Sequence, residues 1–296
     1  MPRRLRRAVR ERVRGPLRSL TRHEVAEAVR RSPALVAKVL PIDPEADPLV
    51  VASASETVET GPDGLALPPP ELFELDDYVA SGERHFDTLT DILTRAGYGP
   101  ERWGDVLDFG CGSARLTRHF VGHAREHEVW GVDINAASIA WCEGHLSPPL
   151  RFAPCSTYPH LPFADDSFGL VIAGSVFTHI SELSTTWLLE LRRITRPGGH
   201  LYLTVQDQAC IEALDDDDLM PPGHWMAAMA DRHRSLLDRL GRDVSYVSID
   251  RSNKDAMVFH DRAYLLETWG RVLEVVDVVD RAYNVQTAVV LRKPGP

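Results

Sequence analysis

One segment carries most of the information about the fold of this chain: Val106-Leu107-Asp108-Phe109-Gly110-Cys111-Gly112-Ser113-Ala114-Arg115-Leu116. An apolar run leads into Asp108, and Gly110 and Gly112 follow it two residues apart. Glycines adopt positive φ angles readily and let the backbone approach a ligand closely. The pattern predicts a buried strand that ends near Asp108, then a ligand-binding glycine turn, then a helix.

Helix-like and strand-like patterns alternate on both sides of this segment. Apolar runs predict strands at residues 105–109, 128–132, 150–153, 169–173 and 201–205, and later at 272–279 and 287–291. Caps and apolar stripes predict helices that begin near Ser81, Leu116, Asn135, Leu183 and Asp261. Such alternation indicates a doubly wound α/β fold, whose ligands lie beyond the carboxyl ends of the strands.

Two carboxylates give the glycine turn its chemistry. Asp108 stands directly before the glycines, where it would repel a pyrophosphate and attract an ammonium group. The dinucleotide pattern G-x-G-x-x-G also fails, because Arg115 occupies its last position. Asp133 ends the next strand, where a carboxylate can accept both hydroxyls of a ribose. Taken singly, Asp108 fits a turn cap and Asp133 a surface carboxylate. Together they favour a site for a nucleoside with a positively charged tail.

Five motifs, including the two just described, follow one another along the chain. They lie at residues 108–114, 131–133, 161–168, 175–180 and 191–199. With these motifs the sequence resembles the class I S-adenosylmethionine-dependent methyltransferases, strongly over residues 67–205 and weakly over 258–293. The resemblance implies a Rossmann-like, mostly parallel seven-stranded sheet. It also implies S-adenosyl-L-methionine as cofactor and S-adenosyl-L-homocysteine as product.

The resemblance assigns roles to individual residues. Asp108 and Gly110 are expected to hold the amino-acid end of the cofactor, Asp133 the ribose, and Ile134 the adenine. The cofactor-binding residues implied are Asp108, Gly110, Cys111, Gly112, Asp133, Ile134, Ser156, Ser175 and Val176. The sequence departs from the family pattern at Cys155-Ser156-Thr157, at Ala114 in place of a third glycine, and at Gly169, where an aspartate often precedes the fourth strand.

Candidate catalytic residues follow the fourth and fifth predicted strands, where the methyl group should point. A general base can take the proton of a neutral hydroxyl acceptor, and the sequence leaves open whether one is needed. His179 lies about six residues after the fourth strand and Asp207 just past the fifth. The alternative interpretations are a capping or packing histidine and a loop carboxylate. Ser175, Val176 and Phe177 are expected to line the pocket.

The two ends of this domain are less regular. Residues 1–66 are predicted to form an extension whose first 31 residues hold eleven arginines against three glutamates, followed by a Pro- and acid-rich part. Residues 67–296 are the predicted methyltransferase domain. Within it, residues 206–257 form an insert after the fifth strand, predicted to be helical. The insert can act as a lid over the acceptor, although its Met and Leu stripe also fits ordinary core packing.

Composition narrows the class of protein. Of the 296 residues, 44% are hydrophobic and 26% charged, which is typical of a globular protein. No apolar run approaches the ~20 residues of a transmembrane helix. The four cysteines show no metal-ligand spacing, so we expect reduced thiols, a cytoplasmic location and no metal site. The formal net charge is −10, and the excess of acidic residues lies after the basic arm. This acidic composition disfavours nucleic acid as a partner.

The favoured hypothesis is therefore a methyltransferase that acts on a small-molecule acceptor, with a mild preference for oxygen. One alternative is a catalytically silent protein of the same fold that binds a partner or an anionic surface, such as a membrane, through its Arg-rich arm. A second alternative is an NAD-dependent enzyme, which Asp108 and Arg115 disfavour. The sequence leaves the oligomeric state open.

Overall fold

A computed structural model describes residues 58–73, 77–216, 218–220, 223–249 and 256–295. The strands are β1 Val106–Phe109, β2 Val129–Asp133, β3 Arg151–Pro154, β4 Phe168–Ala173, β5 Thr195–Val205, β6 Tyr246–Ile249, β7 Met257–His260, β8 Glu274–Tyr283 and β9 Gln286–Arg292. The α-helices are α1 Tyr78–Arg95, α2 Ala136–His145, α3 Ser184–Ile194, α4 Gln208–Leu214, α5 Trp225–Arg232, α6 Arg234–Leu237 and α7 Arg262–Gly270. The Arg-rich arm of residues 1–31 lies outside the described residues.

Seven strands form one sheet in the order β3-β2-β1-β4-β5-β9-β8. The first five in this order are parallel, and β9 pairs antiparallel with both β5 and β8. The predicted doubly wound, mostly parallel seven-stranded sheet is thus confirmed. The strand order changes direction between β1 and β4. Ligands of open α/β sheets bind at such a switch point.

Helices cover both faces of the sheet, and each face has its own apolar core. One core packs α1 and α2 against the sheet and includes Leu89, Trp103 and Phe120. The other packs α3 and α7 and includes Phe177, Trp187 and Trp269. Because both faces of β4 are covered, all its residues are buried, as its apolar sequence predicts.

Two helix predictions need correction. The first helix begins at Tyr78 rather than near Ser81, which lies buried inside it. No α-helix follows the glycine turn; short 3₁₀ turns occupy Thr117–Phe120 and His123–Arg125 instead. Ala114 has a φ of 70°, a left-handed conformation, so Ala114 itself cannot belong to an α-helix.

The insert is only partly helical, which corrects the predicted all-helical form. It contains α4, α5 and α6, followed by the antiparallel pair of β6 and β7. Its apolar residues, among them Cys210, Met229 and Phe259, form a third core cluster. Most of the Met and Leu stripe therefore serves packing. Two side chains of this stretch are exceptions, because Trp225 is 62% exposed and Leu236 41%.

Gly169 replaces the aspartate that often precedes the fourth strand, and its surroundings explain the change. A Cβ built at this position would lie 1.8 Å from the carbonyl oxygen of Trp103. The Tyr98 hydroxyl donates a hydrogen bond to the Gly169 carbonyl at 2.8 Å. The chain before β1 thus packs so closely on β4 that no side chain fits.

Among the described residues, no helix combines the length and the apolar character needed to cross a membrane.

Candidate functional site

A cavity of about 300 Å³ opens at the carboxyl ends of β1 and β4. Its walls come from the glycine turn, the end of β2, the start of α2, the segment before α1 and the end of β8. The lining residues are Leu72, Phe73, Asp108, Gly110, Cys111, Gly112, Ser113, Arg115, Leu116, Asp133, Asn135, Ser138, Gly174 and Tyr283. The cavity therefore lies at the predicted switch point and contains both predicted carboxylates.

Asp108 is a buried carboxylate in the wall of this cavity, with 3% of its surface exposed. Its Oδ2 accepts a hydrogen bond from the Thr117 hydroxyl at 2.6 Å. Burial raises the pKa of Asp108 to about 6, because the charged form loses its hydration. Thr117 and the nearby Arg115 partly oppose this shift. A cationic ligand group would restore the charge balance that the buried carboxylate lacks.

Asp133 is held in place by backbone amides. Gly112 N donates to its Oδ2 at 2.8 Å, and Asn135 N donates to its Oδ1 at 2.7 Å. Each carboxylate oxygen has a second lone pair, so both can still accept a bond from a ligand. Asn135 caps α2 as predicted, because its Oδ1 accepts from Ala137 N and Ser138 N. The glycine turn, the carboxylate and the helix start therefore form one connected wall.

Gly110 has the conformation and the close contact that the sequence predicts for a ligand-binding glycine. Its φ is 83°, and a Cβ there would lie 2.2 Å from Cγ2 of Val176. Val176 belongs to the loop after β4, so this loop packs directly on the glycine turn. The close approach leaves backbone rather than side chain facing the cavity.

Five of the nine sequence-predicted cofactor residues line the cavity: Asp108, Gly110, Cys111, Gly112 and Asp133. The other four do not. Val176 packs behind Gly110, and Ile134 is half-buried beside Asp133. Ser156 is exposed, and its Oγ accepts from Tyr158 N at 3.1 Å. Ser175 has a φ of 59° and accepts a hydrogen bond from Gln286 Nε2 at 2.9 Å, so it shapes the loop after β4.

The segment before α1 covers one side of the cavity. Leu72 and Phe73 line it. The Phe73 ring packs edge-on against Tyr78 at 4.2 Å between centroids. Tyr78 in turn donates its hydroxyl to the carbonyl of Ser113, inside the glycine turn, at 2.5 Å. A second hydrogen bond, from the Ser113 hydroxyl to the Leu72 carbonyl oxygen at 3.5 Å, also joins the cover to the glycine turn.

Two residues that the sequence did not single out for the site, Arg115 and Tyr283, line the cavity. Arg115 entered the argument only as a break in the dinucleotide pattern. Its place three residues after Gly112 was the available signal, since the residues of that turn line the cavity. Tyr283 had a weaker signal: it precedes the turn between the last two strands, which lies at the carboxyl edge of the sheet.

His179, the first predicted catalytic residue, is exposed and does not line the cavity. Its Nδ1 lies 2.7 Å from the carbonyl oxygen of Ala256, at the end of the insert. A carbonyl can only accept, so Nδ1 carries the proton and Nε2 is left with a free lone pair. The insert thus holds the imidazole in the tautomer that a general base requires.

Asp207, the second predicted catalytic residue, is 1% exposed and fully engaged. It caps α4 by accepting from Cys210 N. Arg262 Nε donates to its Oδ2 at 2.6 Å, and the Thr287 hydroxyl donates to its Oδ1 at 2.9 Å. A carboxylate paired in this way favours a structural role over the predicted proton transfer.

Parts of this chain are similar in sequence to known proteins. Residues 107–203 match the family model described as a methyltransferase domain. The chain is 34% identical over 126 residues to a malonyl-[acyl-carrier protein] O-methyltransferase of Halorhodospira halophila. This match covers 42% of this chain and 41% of that one. It is 30% identical over 117 residues to an uncharacterised methyltransferase of Schizosaccharomyces pombe, covering 36% and 42%. The chain thus spans less than half of the length of these curated relatives.

Solved structures agree on the fold. A protein of Pyrococcus horikoshii OT3 superposes with a TM-score of 0.52 at 17% identity, over 77% of this chain and all of that one. An S-adenosylmethionine-dependent methyltransferase of Clostridium acetobutylicum superposes with a TM-score of 0.50 at 12% identity, over 75% and 94%. At such low identity the likeness concerns the fold alone.

Proposed function

Because the chain carries a class I methyltransferase domain, a domain whose cofactor is S-adenosylmethionine, we propose that it transfers a methyl group from this cofactor to a small-molecule acceptor, with oxygen as the favoured atom. One observation carries the proposal: the buried carboxylate of Asp108 and the amide-held carboxylate of Asp133 line a single cavity behind a glycine turn. Such a cavity offers one anion to an ammonium group and a second to a pair of sugar hydroxyls.

The residues present fit this cofactor. Asp108 is nearly inaccessible to water and has no cationic hydrogen-bond partner among the described residues, so an ammonium group would complete its surroundings. Gly110 also lines the cavity and has no side chain, so a ligand can contact its backbone. The two carboxylates in this wall, Asp108 and Asp133, would repel a diphosphate.

When bound, S-adenosylmethionine supplies an activated methyl group on its sulfonium, so the protein mainly aligns the reactants and excludes water. In this proposal Leu72 and Phe73 close the cavity on one side. Ile134 packs beside the adenine. His179 takes the proton of the acceptor at Nε2, since its Nδ1 is already bound to Ala256 O.

The choice of acceptor rests on weaker support. A relative that acts on malonyl-[acyl-carrier protein] and a Shewanella denitrificans relative named a ribosomal RNA small subunit methyltransferase, 30% identical over 41% of this chain, show that similar domains serve different acceptors. The acidic composition of the chain after residue 31 favours a small molecule over RNA. Mass spectrometry of products from a panel of hydroxyl, amine and RNA acceptors would identify the acceptor class.

Titration calorimetry of the full chain tests the cofactor assignment. We expect S-adenosylmethionine and S-adenosylhomocysteine to bind with dissociation constants in the micromolar range, and NAD to show no heat at the same concentrations. Binding of NAD with similar affinity, or no binding of either nucleoside, would refute the proposal.

A further inference from the structure

Arg115 carries a positive charge that no carboxylate of the described residues balances directly. It is half-buried and lines the same cavity as Asp108. Its three hydrogen-bond partners are neutral: Nη1 lies 2.8 Å from His85 Nδ1 and 3.3 Å from Ser81 Oγ, and Nη2 donates to the Tyr283 hydroxyl. A half-buried charge without a counterion is costly, so an anionic ligand group would be favourable here.

The partners of Arg115 hold it firmly in one place. A guanidinium only donates, so His85 accepts at Nδ1 and carries its proton on Nε2, which donates to Asn284 Oδ1 at 3.3 Å. The His85 and Tyr283 rings are stacked with centroids 3.9 Å apart. The Arg115 Cζ atom lies 5.3 Å from the Tyr283 ring centroid.

Two distant parts of the chain are shaped to build this cluster. His85 comes from α1, and Gly82 lets that helix approach, because a Cβ there would lie 2.1 Å from the Arg115 carbonyl oxygen. Tyr283 ends β8, and its ring lies over Gly174, where a Cβ would lie 3.0 Å from Cε2. Both close approaches depend on glycine.

We propose that Arg115 binds the carboxylate of the cofactor's amino-acid tail and that His85 and Tyr283 are positioning residues for it, which makes the site selective for nucleosides with an intact tail. The inference rests on the proposed function, since it concerns the same cavity. Asp108 offers an anion and Arg115 a cation within one cavity of about 300 Å³, and a free amino acid presents the opposite pair of charges.

The experiment compares two nucleosides on the full chain by calorimetry: S-adenosylhomocysteine, which has the amino-acid tail, and 5′-methylthioadenosine, which lacks it. Arg115→Met should weaken binding of S-adenosylhomocysteine by about ten- to a hundredfold, because a charged hydrogen bond is lost. Binding of 5′-methylthioadenosine should change by less than about threefold. That second affinity also reports whether the cavity is still folded.

His85 gives a milder pair of variants. His85→Leu removes the acceptor for Nη1 and should reduce the preference for S-adenosylhomocysteine by about tenfold, whereas His85→Asn can accept at the same place and should restore most of it. Equal losses for both nucleosides in Arg115→Met and His85→Leu would overturn this inference alone. A wild-type protein that binds neither nucleoside would overturn the proposed function and the inference together.

Discussion

The carboxylate of Asp63 is bound by the buried guanidinium of Arg118, which donates from Nε to Oδ2 at 2.6 Å and from Nη2 to Oδ1 at 3.0 Å. The same guanidinium lies over the Tyr78 ring, 5.1 Å from its centroid. Arg118 follows the glycine turn, and its N–H donates to Ala114 O within that turn. The ion pair therefore fastens residues 58–73, including the cover of the cavity, to the turn that forms the cavity wall.

Removing the carboxylate of Asp63 should destabilise the protein strongly. The Arg118 side chain is 0% exposed, so Asp63→Asn leaves an uncompensated buried charge. We expect the free energy of unfolding in urea to fall by about 3–5 kcal/mol. Asp77→Asn is the matched control, because Asp77 and Arg84 form an exposed pair, and it should change stability by less than about 0.5 kcal/mol. Equal small effects of the two substitutions would show that Arg118 does not depend on Asp63.

Cofactor affinity should depend on the protonation of Asp108. Its pKa of about 6 means that the carboxylate is mostly neutral at pH 5, where it attracts an ammonium group poorly. We expect the affinity for S-adenosylhomocysteine to fall about tenfold from pH 7 to pH 5, and Asp108→Asn to bind weakly with a flat profile. Calorimetry across this range measures both, and an unchanged profile in the variant would assign the titration to another group.

The unbound protein should respond to pH in the opposite direction. The folded-state pKa of Asp108 lies above its ordinary value of 3.8, so the unfolded chain releases this proton first as pH rises. The contribution of this group to stability is therefore present below about pH 4 and lost as pH rises to about 6. Thermal melts of wild type and Asp108→Asn across this pH range compare how steeply the melting temperature of each protein changes with pH.

Asp133 should contribute to cofactor binding through the ribose. Asp133→Ala is expected to weaken binding of S-adenosylhomocysteine by about ten- to a hundredfold, since two hydrogen bonds to a carboxylate are lost. Asp105→Ala is the control: Asp105 also accepts a backbone N–H, from Glu128 at 2.8 Å, but it precedes β1, at the other end of the sheet. Unchanged affinity in Asp133→Ala would remove the ribose assignment.

Gly169 should tolerate no side chain. Gly169→Ala places a methyl group 1.8 Å from Trp103 O, so the chain before β1 must move, at a cost of about 1–3 kcal/mol or more. Gly144→Ala is the matched control, since Gly144 lies in α2 with no atom within 4 Å of the added Cβ. It should gain about 0.5–1 kcal/mol from helix propensity. If both variants melted at the wild-type temperature, the packing argument would fail.

The order of strands and helices could be predicted because it depends on local apolar patterns and on caps such as Asn135. The two cavity carboxylates could be predicted too, since they end neighbouring parallel strands. Contacts between distant segments could not. Arg115 meets His85 and Tyr283 only because α1 packs against the edge strand β8, and no local pattern encodes that meeting.

The prediction that Asp207 is catalytic could not take account of such contacts between distant segments either. Its position after β5 was read correctly from the sequence, but its partner Arg262 lies 55 positions later, and the ion pair appears only after folding. The Asp207 carboxylate looked available for proton transfer in the sequence, but in the fold it accepts a hydrogen bond from Arg262. His179 is the contrasting case, because the one described hydrogen bond of its side chain, to Ala256 O, uses Nδ1 and leaves Nε2 open.

The two predicted catalytic residues should therefore behave differently on substitution. Asp207→Asn weakens a buried pair with Arg262 and should lower stability by about 1–3 kcal/mol while leaving the pH profile of turnover unchanged. His179→Gln should leave stability within about 0.5 kcal/mol, because the side chain is exposed, but should lower turnover of a hydroxyl acceptor by about a hundredfold. Product mass spectrometry under saturating cofactor, paired with urea denaturation, separates the two effects. Normal turnover of His179→Gln across pH would reject the base role, and a changed pH profile in a stable Asp207→Asn would return that role to the aspartate.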